Sequence, residues 1–178
     1  GTIGNGHGTA AYYGLEKDVD IQLGTLSKSL GAVGGYVAAN STIIDYLVNM
    51  SRSFIFSTAL SPADIGAALA ALQIIESDSS VLRRLQDNVN YMTDCLNSMG
   101  IYATNETPIF PILIGSNEDT LAVSNHLYNA EIIGTAIRPP TVPVGESRIR
   151  LTVTAAHNRE QIDYVCQSLH NAMKQLDS

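Results

Sequence analysis

The chain has 178 residues, 45% of them hydrophobic and 15% charged, with a formal net charge of −7. Such a length holds one medium domain or two small ones, each able to bury a core. The acidic balance argues against a nucleic-acid or anionic-membrane surface, and no apolar run reaches the length of a membrane span.

Gly1-Thr2-Ile3-Gly4-Asn5-Gly6-His7-Gly8 is dense in glycine and reads as a loop, with His7 a loop residue rather than a catalytic base. Residues 19–23 alternate apolar and polar and predict a strand, and 35–39 predict another. Lys28 therefore falls on a tight connection between two strands expected to be buried. Around it stand the hydroxyls of Thr25, Ser27 and Ser29 and a set of glycines, with no other charge. A lysine drawn out of water can bond covalently to a carbonyl, hydroxyls suit a phosphate, and glycines let a flat ring approach. Those are the needs of pyridoxal phosphate. A surface lysine in an ordinary glycine-rich turn has the same spelling.

Downstream, 41–49 carries apolar residues at helical spacing, with Ser41 as the expected N-cap. The run Ser53-Phe54-Ile55-Phe56-Ser57-Thr58 predicts a short strand ending in two hydroxyls. Ser61, Pro62 and Asp64 then open a helix whose stripe is Ile65, Ala68, Leu69, Leu72 and Ile75. After a break at 77–80, a second helix carries Leu82, Leu85, Val89, Met92, Leu96 and Met99 on one face and ends at Gly100. Cys95 and Cys166 occupy apolar helix positions, as buried thiols rather than a disulfide or metal pair, which suits a reducing cytosol. The four histidines show no ligand spacing, so no metal site is expected.

The remainder predicts strands near 101–103, 109–114, 132–137 and 148–154, and helices over 118–129 and 159–176. Pro111 implies an edge strand or a bulge, and Asn158 with Gln161 spells a capping box. Mixed strands with helices on one face describe a small α+β layer. In Arg148-Ile149-Arg150-Leu151-Thr152-Val153-Thr154 the apolar residues face the core, while Arg148, Arg150, Thr152 and Thr154 share the other face. Two arginines so spaced can fork onto a carboxylate, or can simply face solvent. The proline-rich run 138–143, just upstream, is stiff enough to hold one side chain in place.

Three stretches carry a resemblance. Gly24-Thr25-Leu26-Ser27-Lys28-Ser29-Leu30-Gly31 with Gly34-Gly35-Tyr36 resembles the cofactor-lysine segment of the α-oxoamine synthases, which are fold-type I pyridoxal-phosphate enzymes. The block 54–62 resembles the segment that in this family reaches the neighbouring subunit's cofactor phosphate. Arg138-Pro139-Pro140-Thr141-Val142-Pro143 with Thr154-Ala155-Ala156-His157 is most similar to the biotin-pathway branch of the family.

The resemblance implies an α/β chain, the C-terminal part of a fold-type I pyridoxal-phosphate transferase. Residues 1–60 would end the large cofactor-binding domain, 61–100 would be linking helices, and 101–178 a small α+β domain. Lys28 would anchor the cofactor covalently and act as base. Thr25 would bind the phosphate, Ser57 and Thr58 would serve a homodimer partner's cofactor, Thr141 would line the substrate pocket, and Arg150 would hold the amino-acid carboxylate.

The implied reaction condenses an amino acid with an acyl thioester and releases carbon dioxide; the biotin branch uses L-alanine and a pimeloyl thioester. A sister synthase using glycine or serine, or an inactive fragment with a dimerising role, is the alternative. The family's Asp-x-x-His motif would lie upstream of Gly1, so residues 1–178 alone are expected to be inactive. No membrane or nucleic-acid partner is expected, and a cytoplasmic location is.

Overall fold

Backbone contacts divide the chain into two units, Gly1–Ser79 and Ser80–Ser178. The computed structural model describes residues 1–104 and 106–176; of the expected 101–178 domain, Asn105, Asp177 and Ser178 lie outside the described residues. The helices expected to form a linking pair fall on opposite sides of this division, one in each unit.

In the first unit the opening loop holds one 3-10 turn, Gly4–Gly6, followed by a short helix α1, Thr9–Tyr13. Strands β1 (Ile21–Thr25) and β2 (Gly35–Ala39) pair antiparallel, with Gly24 opposite Tyr36. The Tyr36 ring lies over Gly24: a Cβ at that position would stand 2.5 Å from it. The two strands pair only with each other among the described residues, and both are largely exposed, which corrects the expectation that they are buried. A two-stranded ribbon has no neighbouring layer to cover its faces, so Leu23 is 80% exposed.

Helix α2 is Ser41–Met50, and its N-cap is Asn40 rather than Ser41: the Asn40 Oδ1 accepts from the Ile43 amide at 3.0 Å. The strand expected over 53–58 is instead a helical turn, α3, Arg52–Ile55. The Ile55 amide donates to the Ser51 carbonyl at 2.9 Å and the Phe56 amide to the Arg52 carbonyl at 3.0 Å. Three apolar residues in a row do not distinguish helix from strand, and here local i→i−4 bonds decide. Helix α4, Pro62–Ser77, begins as expected: Ser61 Oγ accepts from the Asp64 amide at 3.1 Å and donates to the Asp64 carboxylate at 2.6 Å. Of its stripe only Ala68 is buried, while Ile65, Leu69 and Leu72 are exposed.

The second unit is a two-layer α+β assembly. Helix α5, Ser80–Ser98, ends on Gly100 in the left-handed region, φ +78°. The Ile101 amide donates to the Leu96 carbonyl and the Gly100 amide to the Asn97 carbonyl, which is the paired bonding that ends a helix in a Schellman motif. No strand forms at 101–103. The Asn97 side chain takes those backbone groups instead, accepting from the Ala103 amide at 3.0 Å and donating to its carbonyl at 3.2 Å.

Strands β3 (Ile109–Gly115), β4 (Thr135–Ile137) and β5 (Ser147–Thr152) form an antiparallel sheet in the order β3-β5-β4. Both β4 and β5 are shorter than expected. Pro111 sits on an edge strand, whose register also slips between Leu113 and Gly115, as its missing amide donor leads one to expect. Helix α6, Asn117–Asn129, packs on all three strands, and α7, Arg159–Lys174, packs on α5 and α6. The capping box opens α7: Asn158 Oδ1 accepts from the Gln161 amide at 2.8 Å, and Gln161 Oε1 from the Asn158 amide at 3.0 Å. Phe110, Ile112, Ile149 and Leu151 from the sheet meet Met92, Leu96, Val123, Leu127, Ile162 and Leu169 from the helices in one buried core.

Candidate functional site

The lysine connection is held by its own backbone and apolar residues. The Leu26 amide donates to the Gly34 carbonyl and the Ala32 amide to the Leu26 carbonyl, each at 2.9 Å. Leu26 and Ala32 are buried with Ala68 of α4, and Leu30 and Leu60 pack against them. Gly34, at φ +116°, lets Leu60 come within what would be 2.6 Å of a Cβ. With Leu26, Leu30 and Ala32 drawn inward, the polar residues of the turn are left outside: Thr25, Ser27, Lys28 and Ser29 are all exposed. Lys28 Nζ donates to Ser27 Oγ at 3.4 Å. The desolvation expected for Lys28 is thus not found within this chain; the ribbon that carries it has no covering layer.

Ser57 and Thr58 follow α3 and are exposed. The Ser57 hydroxyl donates back to the Ser53 carbonyl, so of the two it is Thr58 whose hydroxyl has no partner among the described residues.

In the second unit the sheet's uncovered face carries the arginines. In register, Arg150 stands between Pro111 of β3 and Thr135 of β4, and Arg148 between Leu113 and Ile137. Arg148 is taken: its Nη2 meets Glu146 Oε2 and its Nε–H donates to the Glu146 carbonyl, both at 2.9 Å. Arg150 is exposed and has no hydrogen-bond or ion-pair partner among the described residues. Thr141 is exposed on a turn closed by its own amide donating to the Arg138 carbonyl at 3.0 Å, with Pro139-Pro140 in the cis form.

Sequence reasoning missed two residues. Glu146 is legible in the sequence from its spacing of two before Arg148. Asn88 was not visible: its amide donates to the carbonyls of Thr154 at 3.0 Å and His157 at 2.8 Å, sixty-odd residues away, and fixes the turn that follows β5.

The donor chemistry of the lysine turn fits a phosphate-bearing aldehyde: one amine, the hydroxyls of Thr25 and Ser29 with no partner among the described residues, and Gly31 with open space where a Cβ would stand. A family model described as aminotransferase class I and II matches residues 2–169. The chain belongs to that family. Among curated members, the 8-amino-7-oxononanoate synthase of Lysinibacillus sphaericus is 42% identical over 99% of this chain and 46% of its own length. That of Petrotoga mobilis is 39% identical over 99% of this chain and 45% of its own. The chain thus spans about half the length of the curated relatives it matches.

Among solved structures, the Sphingomonas wittichii serine palmitoyltransferase superposes with a TM-score of 0.91 at 25% identity, over 97% of this chain and 44% of that one. The 8-amino-7-oxononanoate synthase of Francisella tularensis superposes at 0.82 with 24% identity, over 97% and 50%, which speaks to the fold alone. The resemblance to α-oxoamine synthases and the α/β fold-type I architecture are thereby borne out. No single helix among the described residues of this family member is long and apolar enough to cross a membrane.

Proposed function

We propose that this chain supplies the covalent cofactor lysine and the carboxylate anchor of a pyridoxal-phosphate-dependent acyltransferase of the 8-amino-7-oxononanoate synthase kind. The substrates would be L-alanine and a pimeloyl thioester, joined with loss of carbon dioxide in biotin biosynthesis. The observation that carries this reading is the lysine turn: Lys28 stands outward among hydroxyls on a connection pinned by Leu26, Ala32 and Ala68.

Bound pyridoxal phosphate supplies an electron sink for a carbanion beside the amino-acid carboxylate. Lys28 Nζ would hold it covalently and would be the base that moves the substrate's α-proton. Thr25 donates to the phosphate; Ser57 and Thr58 serve the phosphate of the second copy in a homodimer, Ser57 after turning from the Ser53 carbonyl. Arg150 forks the substrate carboxylate and sets its direction, and Thr141 lines the pocket.

Covalent trapping tests the anchor. Borohydride is added to the chain with pyridoxal phosphate and the peptides are mapped. Label concentrated on Lys28 is expected; label spread over Lys17, Lys28 and Lys174, the lysines of the chain, would leave Lys28 idle and favour a dimerising, non-catalytic role. A second reading, a sister synthase that uses serine or glycine, is favoured by the likeness to serine palmitoyltransferase. By itself the chain is expected to give no turnover. Fusing the upstream half of the Lysinibacillus sphaericus relative ahead of Gly1, then assaying L-alanine, glycine and L-serine with pimeloyl and palmitoyl thioesters, separates these readings.

A further inference from the structure

Two arginines share the uncovered face of β5, yet one amino-acid carboxylate needs only one fork. Building on the carboxylate role given to Arg150, we propose that Glu146 is a positioning residue: by occupying Arg148 it leaves Arg150 as the guanidinium that receives the substrate.

The geometry is specific. A guanidinium offers a side-on fork made of Nε–H and one Nη2–H, the edge that matches a carboxylate with two parallel bonds. On Arg148 that edge is filled, Nε–H by the Glu146 carbonyl and Nη2–H by the Glu146 carboxylate, both at 2.9 Å. On Arg150 the same edge meets nothing among the described residues. Strands β3, β4 and β5 contain no acidic residue, so nothing on the sheet competes for Arg150.

Arg148 and Arg150 are two residues apart on one face of β5, so their Cα atoms stand about 7 Å apart along the strand. A carboxylate captured at the wrong one would displace the reacting carbon by a similar distance, far outside the tolerance of an oriented reaction. Glu146 also cancels one of the two positive charges, so the face presents a single charge to a single carboxylate.

The test reads the arginine side chains directly in the 178-residue chain. Nε–Hε resonances are followed by NMR while sodium acetate replaces sodium chloride at constant ionic strength. Acetate is expected to move Arg150 saturably and leave Arg148 still. Glu146→Gln takes the anion from Nη2–H and leaves the main-chain carbonyl on Nε–H; with its charge no longer cancelled, Arg148 should join the titration with a several-fold larger shift, and Glu146→Asp should partly restore the original selectivity. An unchanged melting temperature in both variants separates this effect from misfolding, since Glu146 is exposed. The proposal is overturned if Arg148 titrates with Arg150 in the unaltered chain, or stays silent in Glu146→Gln. If Arg150 is silent throughout while Arg148 responds only in Glu146→Gln, the masking is real but the carboxylate role of Arg150 fails, and the positioning role fails with it.

Discussion

Cys166 is fully buried between α5 and α7, with its Sγ 3.4 Å from Met92 Sδ. Burial pushes its thiol well above the ordinary range, and the neighbouring Cys95 thiol adds to the rise. The sign follows from linkage. Above the ordinary thiol value of about 8.5 the unfolded chain releases this proton while the folded chain keeps it. Stability is therefore unaffected below that pH and falls above it, by up to about 1.4 kcal/mol per pH unit. Urea midpoints measured at pH 7.5 and 9.5 should show this loss, and Cys166→Ala should flatten it while costing stability at both. An equal slope in Cys166→Ala would assign the loss to other groups. The burial of this thiol was legible in the sequence from its place on the α7 stripe. The exposure of Lys28 was not: the sequence names the turn and its hydroxyls, but whether a side chain is dry depends on what lies over it.

Elements were legible wherever side chain and backbone bond within a few residues. Ser61 and Asn158 cap their helices as read, because the residue that must accept lies three positions before the amide that donates. Asn40 and Ser41 are both good caps, and sequence alone ranked them wrongly; only Asn40 has the extended backbone, ψ 160°, that turns its oxygen back to the Ile43 amide. Asn40→Ala should then lower stability by about 1 kcal/mol and Ser41→Ala by much less, measured by thermal or urea unfolding. Equal losses would mean that the cap alternates between the two. The two failures of element type, 53–58 and 101–103, share a cause. In each, a short apolar stretch has its backbone bonds taken locally, by i→i−4 carbonyls in α3 and by the Asn97 side chain after α5, so no ladder partner is left to make a strand.

At the scale of the whole chain, apolar content is spread along the sequence but burial is not. Among the described residues the 80–178 unit gathers 16 buried hydrophobic residues in one cluster, while 1–79 has the small group of Leu26, Ala32 and Ala68 and leaves Phe54, Phe56, Ile65 and Leu69 exposed. Hydropathy states which residues favour burial; it does not state whether the chain brings a surface to cover them, which is why the strands flanking Lys28 were read as interior. Stability should divide the same way, because local opening costs little where few apolar contacts are lost. Native-state hydrogen exchange should find the slowest amides in β5 and α7 and the fastest strand amides in β1 and β2. Phe110→Ala, which empties a position only 1% exposed, should destabilise the second unit by about 3–5 kcal/mol. The same change should leave exchange at β1 and β2 where it was. If those amides accelerate in step with β5, the two units unfold as one, and the separation seen in their backbone contacts does not extend to their energetics.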